Sequence, residues 1–317
     1  MYTCKGCEHT YPLKDTIVLT DTTNDTLLNI TDYIDEKKQD TPIVNFLDFF
    51  QTIYAERGPL RALEIASGPG NLTKQALAYN FFSELWSSDI SVSFLQHQTT
   101  ILSSSLCKFV QMNASNTFPF PDNSLDIVYG NSCLHHFLHY ETTLSECFRV
   151  LQPGGIAIFG EPVATGIQPL MLMLSLIAEF DTKEVQPIFT PEEQARIKQI
   201  QIDSNMLFTL AKTKQYTTLG KFEDKYTYNM EELADLGKSI GFSTFQTIKD
   251  INPSSFLYHP TVQIYTEQVE LYIQTVKKHW KMPSQYMWIV ELVYASIVFP
   301  NLGNNSCALF TVFCMKK

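Results

Sequence analysis

A chain of 317 residues is long enough for one large or two small domains, and it can bury a sizeable core. A formal net charge of −10 argues against a nucleic-acid backbone as the main partner. Seven cysteines, an odd number, and the absence of an apolar secretory core in MYTCKGCEHT point to reduced thiols and a cytoplasmic protein. The longest strongly apolar stretch, Pro169 to Ala178, falls well short of the ~20 residues that span a bilayer, so no membrane role is expected.

Charged residues make up 18% and aromatics 13%, a balance that favours an aromatic-rich interior or a deep apolar pocket. Residues 1–40 are polar and read as a small N-terminal segment. Cys4 and Cys7 form a C-x-x-C pair with His9 nearby. A structural zinc site takes four ligands, so Cys4 and Cys7 are weak metal candidates, and a relic or a plain tight turn is the favoured reading. Tyr11 to Leu19 reads as a small β-like piece, and Asp21 to Asp40 as a polar linker. Pro42 to Arg57 is an amphipathic helix, with Ile43, Phe46, Leu47, Phe50 and Ile53-Tyr54 at helical spacing.

Arg61 to Asp89 is the stretch that organises the chain. The apolar run Ala62 to Ala66 predicts a strand, Ser67-Gly68-Pro69-Gly70 a glycine turn, Leu72 to Tyr79 a helix, and Ser83 to Ser88 a second strand ending at Asp89. Glycines let a backbone approach a ligand closely, and an acid at the second strand tip can accept both hydroxyls of a ribose. A dinucleotide turn wants a third small residue where Thr73 stands, and Glu64 would repel a pyrophosphate but suit a cation. S-adenosylmethionine, with a sulfonium, an ammonium and no phosphate, fits that pattern. A turn that binds nothing is the plain alternative.

Further on, Ser91 to Ser104 predicts a helix, Lys108 to Met112 a third strand and Leu125 to Tyr129 a fourth. Leu138 to Leu151 predicts a helix that Pro153-Gly154-Gly155 ends. Ile156 to Gly160 predicts a fifth strand, followed by Glu161. The alternation implies a parallel sheet with helices on both faces, and ligands of such sheets bind at the carboxyl ends of the strands. The tips carrying Ser67–Gly70, Asp89, Asn113, Asn131 and Glu161 are therefore expected to converge.

From Leu63 to Gly160 the chain resembles the class I S-adenosylmethionine-dependent methyltransferases, especially the ubiquinone/menaquinone-type group. LEIASGPG, Asp89, FPFPDNSLDIVYGNSCLHH and FRVLQPGGIAIFGEP carry the resemblance. It implies a doubly wound α/β fold with a mostly parallel seven-stranded sheet, and S-adenosyl-L-methionine as cofactor. Position by position, it implies Gly68 and Gly70 under the methionine part and Glu64 near the ammonium. It places Ala66 on the same turn as a cofactor-binding residue, Asp89 on the ribose, Ile90 on the adenine face, Asn113 and Ala114 at the adenine edge, and Asn131 lining the cofactor. The group more often has Asp at the Glu64 and Asn113 places and Gly at Ala66. CKGCEHTYPLKDTIVLT is also similar to the second half of a Trm112-like zinc ribbon, without its first cysteine pair.

The resemblance implies a core over 41–162, a helix and strand over 226–249 and a last strand over 306–317. It leaves 163–225 and 250–305 as helical insertions, read as caps over a substrate chamber; the alternatives are a dimer interface or a thickened core. The expected activity is O- or N-methylation of a small apolar or aromatic molecule in biosynthesis. His136 is the first choice of base, with His135, Glu161 and His139 as further candidates. A non-catalytic cofactor-binding partner and a macromolecular acceptor are the competing readings. The oligomeric state stays open.

Overall fold

The computed structural model describes residues 2–3, 10–20, 44–251, 261–298, 300 and 309–317. Cys4, Cys7, His9, Cys307 and the linker over 21–40 lie outside the described residues. The chain divides into two compact units: 1–161 with 234–252 and 312–317, and 162–233 with 253–311.

The first unit is built on a nine-stranded sheet. Its strands are β3 (Leu13–Lys14), β4 (Ile17–Leu19), β5 (Leu60–Glu64), β6 (Phe82–Asp89), β7 (Cys107–Gln111), β8 (Leu125–Asn131), β9 (Leu151–Pro162), β10 (Thr244–Thr247) and β11 (Phe310–Lys316). β1 (Tyr2–Thr3) and β2 (Thr10–Tyr11) pair separately as a small ribbon. The order across the large sheet is β10-β11-β9-β8-β5-β6-β7-β4-β3. The ladders from β4 to β9 are parallel, and β10 and β3 pair antiparallel with β11 and β4.

The expected seven strands become nine because the N-terminal segment joins the sheet. Ile17, Val18 and Leu19 lie parallel to Phe109, Val110 and Gln111, and the turn after Lys14 folds β3 onto β4. A second correction concerns Pro153-Gly154-Gly155. The tripeptide does not end the preceding element before a new strand; it bulges inside β9. Leu125 faces Leu151 while Ile127 faces Ile156, so three extra residues are absorbed on one side. Gly154, at φ +78°, donates its N–H to the Lys317 carbonyl at 2.8 Å, and the Arg57 guanidinium donates to the Pro153 carbonyl.

The helices of this unit are α1 (Val44–Arg57), α2 (Asn71–Leu77), α3 (Val92–Ile101) and α4 (Tyr140–Val150), with α8 (Met230–Ile240) and α9 (Ile248–Ile251) later in the chain. α1 buries Phe46, Phe49, Phe50 and Ile53 against the sheet, where Phe50 meets the rings of Phe82 and Tyr129 edge-on at 5.5 and 5.1 Å. Leu125 to Gly130 are all buried, as a central parallel strand covered on both faces requires.

The second unit is helical: α5 (Ala164–Asp181), α6 (Pro191–Lys212), α7 (Tyr216–Leu219), α10 (Val262–Gln274) and α11 (Ser284–Val293). α5, α6, α10 and α11 share one core that includes Leu174, Ile197, Tyr265, Trp280 and Tyr286. α6 opens on a capping box, with Thr190 and Glu193 bonding each other's backbone amides. Asp181 is fully buried at the end of α5, yet it receives four donors. The Tyr286 hydroxyl and the Ile188 N–H donate to Oδ1 at 2.5 and 2.8 Å, and the Phe189 N–H and Gln194 amide to Oδ2 at 3.1 and 2.8 Å. Burial opposes its ionisation, but these hydrogen bonds outweigh it and hold the carboxyl below its ordinary range.

Candidate active site

Strand order reverses beside β5. The chain runs outward through β6 and β7 on one side and through β8 and β9 on the other. The crevice at such a reversal, beyond the carboxyl ends of the strands, is where doubly wound sheets bind ligands.

The glycine turn sits there. Gly68 and Gly70 adopt φ of +55° and +88°, and Ala66 adopts +49°. The turn is held by the Ser67 N–H donating to the Ser88 carbonyl at 2.9 Å and the Gly70 N–H to the Ser67 carbonyl at 3.0 Å. Glycine is required at position 70 for two reasons. Its backbone is left-handed, and a Cβ there would lie 2.6 Å from Gln98 Cγ.

Asp89, at the end of β6, closes the turn from the side. Its Oδ2 accepts the Gly68 N–H and its Oδ1 the Ser91 N–H, both at 2.8 Å. Each oxygen keeps lone-pair capacity for another donor. Burial pushes its pKa up to about 6, against the pull of those amide bonds.

Glu64, at the end of β5, is 2% exposed. Its Oε2 bonds the hydroxyls of Thr73 and Tyr129 at 2.8 and 2.9 Å. Burial raises its pKa to about 8, more than those bonds lower it, and Asp89 raises it further. Thr73 occupies the place where a dinucleotide turn would put a small residue, and its hydroxyl is what the Glu64 carboxyl meets.

Ile90 is partly exposed beyond Asp89. Asn113 follows β7 and makes a tight turn, its Oδ1 accepting the Ser115 N–H at 2.9 Å. Ala114 is buried, and its carbonyl accepts the Thr143 hydroxyl at 2.9 Å. Asn131 ends β8 with a buried side-chain oxygen that has no hydrogen-bond partner. Buried amide oxygens are normally satisfied, so this one marks a place where a donor is wanted.

His135 and His136 lie on a short 3₁₀ turn just past β8, with ring centroids 4.1 Å apart. Glu161 reaches His135: its Oε2 is 2.6 Å from His135 Nδ1. Its Oε1 accepts the N–H groups of Cys133 and Leu134 at 3.0 and 2.8 Å. The carboxyl of Glu161 thereby fixes both the loop and the ring. His139 lies further along, just before α4, and its carbonyl accepts the Thr142 N–H at 3.0 Å.

Sequence reasoning passed over Gln98, Ser87 and Ser91. Gln98 is fully buried on the apolar face of α3 with Val92, Phe94 and Leu95, and a polar residue in that stripe was the available signal. Its amide donates to Ser67 Oγ and to the Gly68 carbonyl, both at 2.8 Å.

Residues 63–159, which run from β5 to β9 and hold most of this geometry, match the family described as a methyltransferase domain. The chain is 34% identical over 101 residues to the ubiquinone/menaquinone biosynthesis C-methyltransferase UbiE of Burkholderia cenocepacia, covering 31% of this chain and 42% of that protein. It is 29% identical over 125 residues to a reducing polyketide synthase of Penicillium sp., covering 37% of this chain and 5% of that protein. The chain thus spans less than half the length of these curated relatives. Among solved structures, the YcgJ protein of Bacillus subtilis is similar at 13% identity and a TM-score of 0.46, covering 86% of this chain and 98% of that one. Phosphoethanolamine N-methyltransferase 2 of Haemonchus contortus, solved with S-adenosylhomocysteine, is similar at 16% identity and a TM-score of 0.43, covering 85% and 52%.

Proposed function

We propose that the chain is an S-adenosyl-L-methionine-dependent methyltransferase acting on a small apolar or ring-bearing molecule, by O- or N-methylation. The observation that carries this is the closure of the Ser67–Gly70 turn on the Asp89 carboxylate, inside the matched methyltransferase domain. The residues fit the cofactor. Asp89 has acceptor capacity on both oxygens for two ribose hydroxyls, and Asn131 offers a buried oxygen that lacks a donor. Gly68 and Gly70 would lie under the methionine part, Ile90 on the adenine face and Asn113 with Ala114 at its edge. Glu64 would face the ammonium.

When bound, the cofactor supplies a methyl group already activated on a sulfonium. The protein then has to align the acceptor, exclude water and take up one proton. His135 is suited to the last task. With Nδ1–H held by Glu161, its Nε2 carries the lone pair that accepts a proton from an acceptor O–H or N–H. This choice places His135 ahead of His136 as the base. The apolar-substrate reading rests on the scarcity of charged residues and the abundance of aromatics.

A cytoplasmic site of action is part of the reading. Among the described residues Cys107, Cys133, Cys147 and Cys314 are free, buried thiols, as a reducing compartment allows. No helix among the described residues is long and apolar enough to cross a membrane. Carbon methylation is the second reading, favoured by one observation: the UbiE relatives are named C-methyltransferases.

The test is calorimetric titration with S-adenosylmethionine, S-adenosylhomocysteine and NAD, on the wild type and Asp89→Ala. Micromolar binding of the first two, weakened by the substitution, supports the reading. Binding of NAD alone overturns it. A panel of hydroxyl, amine and carbon-acid acceptors with a labelled methyl donor then separates O-, N- and C-methylation.

A further inference from the structure

Behind the glycine turn runs a buried chain of oxygens whose hydrogens can be counted. Glu64 Oε2 lies 2.8 Å from Thr73 Oγ1, Thr73 Oγ1 lies 3.2 Å from Ser87 Oγ, and Ser87 Oγ lies 2.7 Å from Gln98 Oε1. The Gln98 amide is oriented by the Gly68 carbonyl. Only its NH₂ end can face that oxygen, at 2.8 Å, so Oε1 is an acceptor toward Ser87. Three oxygen-to-oxygen contacts therefore need three hydrogens, while Thr73 and Ser87 supply two. With an ionised Glu64, one contact is two lone pairs facing each other in a site where Thr73, Ser87 and Gln98 are all fully buried. A proton on Glu64 Oε2 fills the chain in one direction: Glu64 to Thr73, Thr73 to Ser87, Ser87 to Gln98.

We infer that Glu64 rests as a neutral carboxylic acid whose proton is held by the Thr73–Ser87–Gln98 chain, and that a primary ammonium docking beside Glu64 drives that proton off to solvent. The second half rests on the S-adenosylmethionine reading of the site. Thr73, Ser87 and Gln98 are then positioning residues, and cofactor binding is coupled to the release of one proton. On release, Thr73 turns its hydrogen to the carboxylate, and the new cation offsets the buried negative charge.

The surroundings agree. Among the described residues, the titratable groups facing Glu64 are Tyr129 on β8, Cys133 just beyond it, Cys107 on β7 and Asp89 on β6. None of these is a cation. α2 and α3 present Thr73 and Gln98, which do not titrate. Burial raises Glu64 to about 8, the same direction as the hydrogen count.

Two measurements on the full chain test this. Infrared difference spectra between the wild type and Glu64→Gln at neutral pH should show a protonated carboxyl stretch present only in the wild type; its absence overturns the held proton. The substitution keeps a neutral, hydrogen-donating group toward Thr73, and circular dichroism checks that the variant folds. Calorimetry with S-adenosylhomocysteine at pH 7, in buffers of unlike ionisation enthalpy, should report about one proton released per ligand for the wild type and none for Glu64→Gln. Binding with no proton release overturns the coupling and leaves the cofactor reading standing. No binding at all overturns the cofactor reading and the coupling together, while the infrared result still decides where the proton rests.

Discussion

His135 Nδ1 stands 2.6 Å from Glu161 Oε2, while the other oxygen of Glu161 accepts two backbone amides from the loop that carries His135. One fully buried carboxyl thus sets both the position of the ring and its tautomer. A histidine whose Nδ1 is committed to a carboxyl in this way presents Nε2 to a reacting group in a fixed orientation.

The first prediction follows. His135→Ala should lower turnover by about 10²-fold or more, in the range of lost general base catalysis, with cofactor affinity nearly unchanged. Glu161→Gln should lower turnover less and alter the pH–rate profile, because it changes how Nδ1 is held. His136→Ala should have the smallest effect of the three. Steady-state kinetics with separate kcat and KM values decides among them.

Asp89→Ala should weaken binding of S-adenosylhomocysteine by at least ~10-fold. It also leaves the N–H groups of Gly68 and Ser91 without their acceptor, which costs about 2 kcal/mol of stability. Calorimetry and urea denaturation, run on the same samples, separate the two effects.

Gly70→Ala should cost more than an ordinary surface substitution. The position is at φ +88°, and the added Cβ would come within 2.6 Å of Gln98 Cγ. The left-handed backbone alone costs about 1 kcal/mol, and displacement of Gln98 breaks its bonds to Ser67 and Gly68. A lowered Tm with a further loss of cofactor affinity is the expected outcome.

Stability should fall as pH rises. Glu64 moves from 4.5 to about 8 on folding and Asp89 from 3.8 to about 6. A carboxyl whose folded pKa is raised binds its proton more tightly in the native state. Its contribution is full below the unfolded value and is lost as pH climbs through the folded one. The urea midpoint should therefore decline between about pH 4 and 8, by up to several kcal/mol in stability at about 1.4 kcal/mol per unit for each group. Glu64→Gln should flatten most of that decline.

In the helical unit, Asp181→Ala removes the acceptor of four donors at once, including the buried Tyr286 hydroxyl, the buried Phe189 amide and the half-buried Ile188 amide. A loss of more than about 3 kcal/mol is expected, since each buried donor left unpaired costs about 1–3 kcal/mol. Amide hydrogen exchange should speed up over α5, α6 and α11.

The glycine turn, the acid at the tip of β6 and the strand-helix alternation were legible in the sequence because each is a local signal. Short apolar runs, glycines at fixed spacing and a 3.6-residue period depend on neighbours a few positions apart. The stripe Tyr265, Val269 and Ile273 on α10 is a local signal of the same kind. Three features were not legible. Ile17–Leu19 joined the edge of the main sheet beside β7, more than ninety residues later, and only the free edge of β7 decided that pairing. Pro153-Gly154-Gly155 bulged inside β9 because the chain end, through Lys317, supplied the hydrogen bonds that a break would have left open.

The third is the chemistry of the carboxyls. Composition says only that Glu64, Asp89 and Glu161 are acids. Whether each is a charge, a held proton or the support of a histidine depends on donors between 2 and 65 residues away in the chain. Burial removes water from these groups, so the protein's own donors must replace it, and that replacement exists only once β5, β6, β8 and β9 lie side by side.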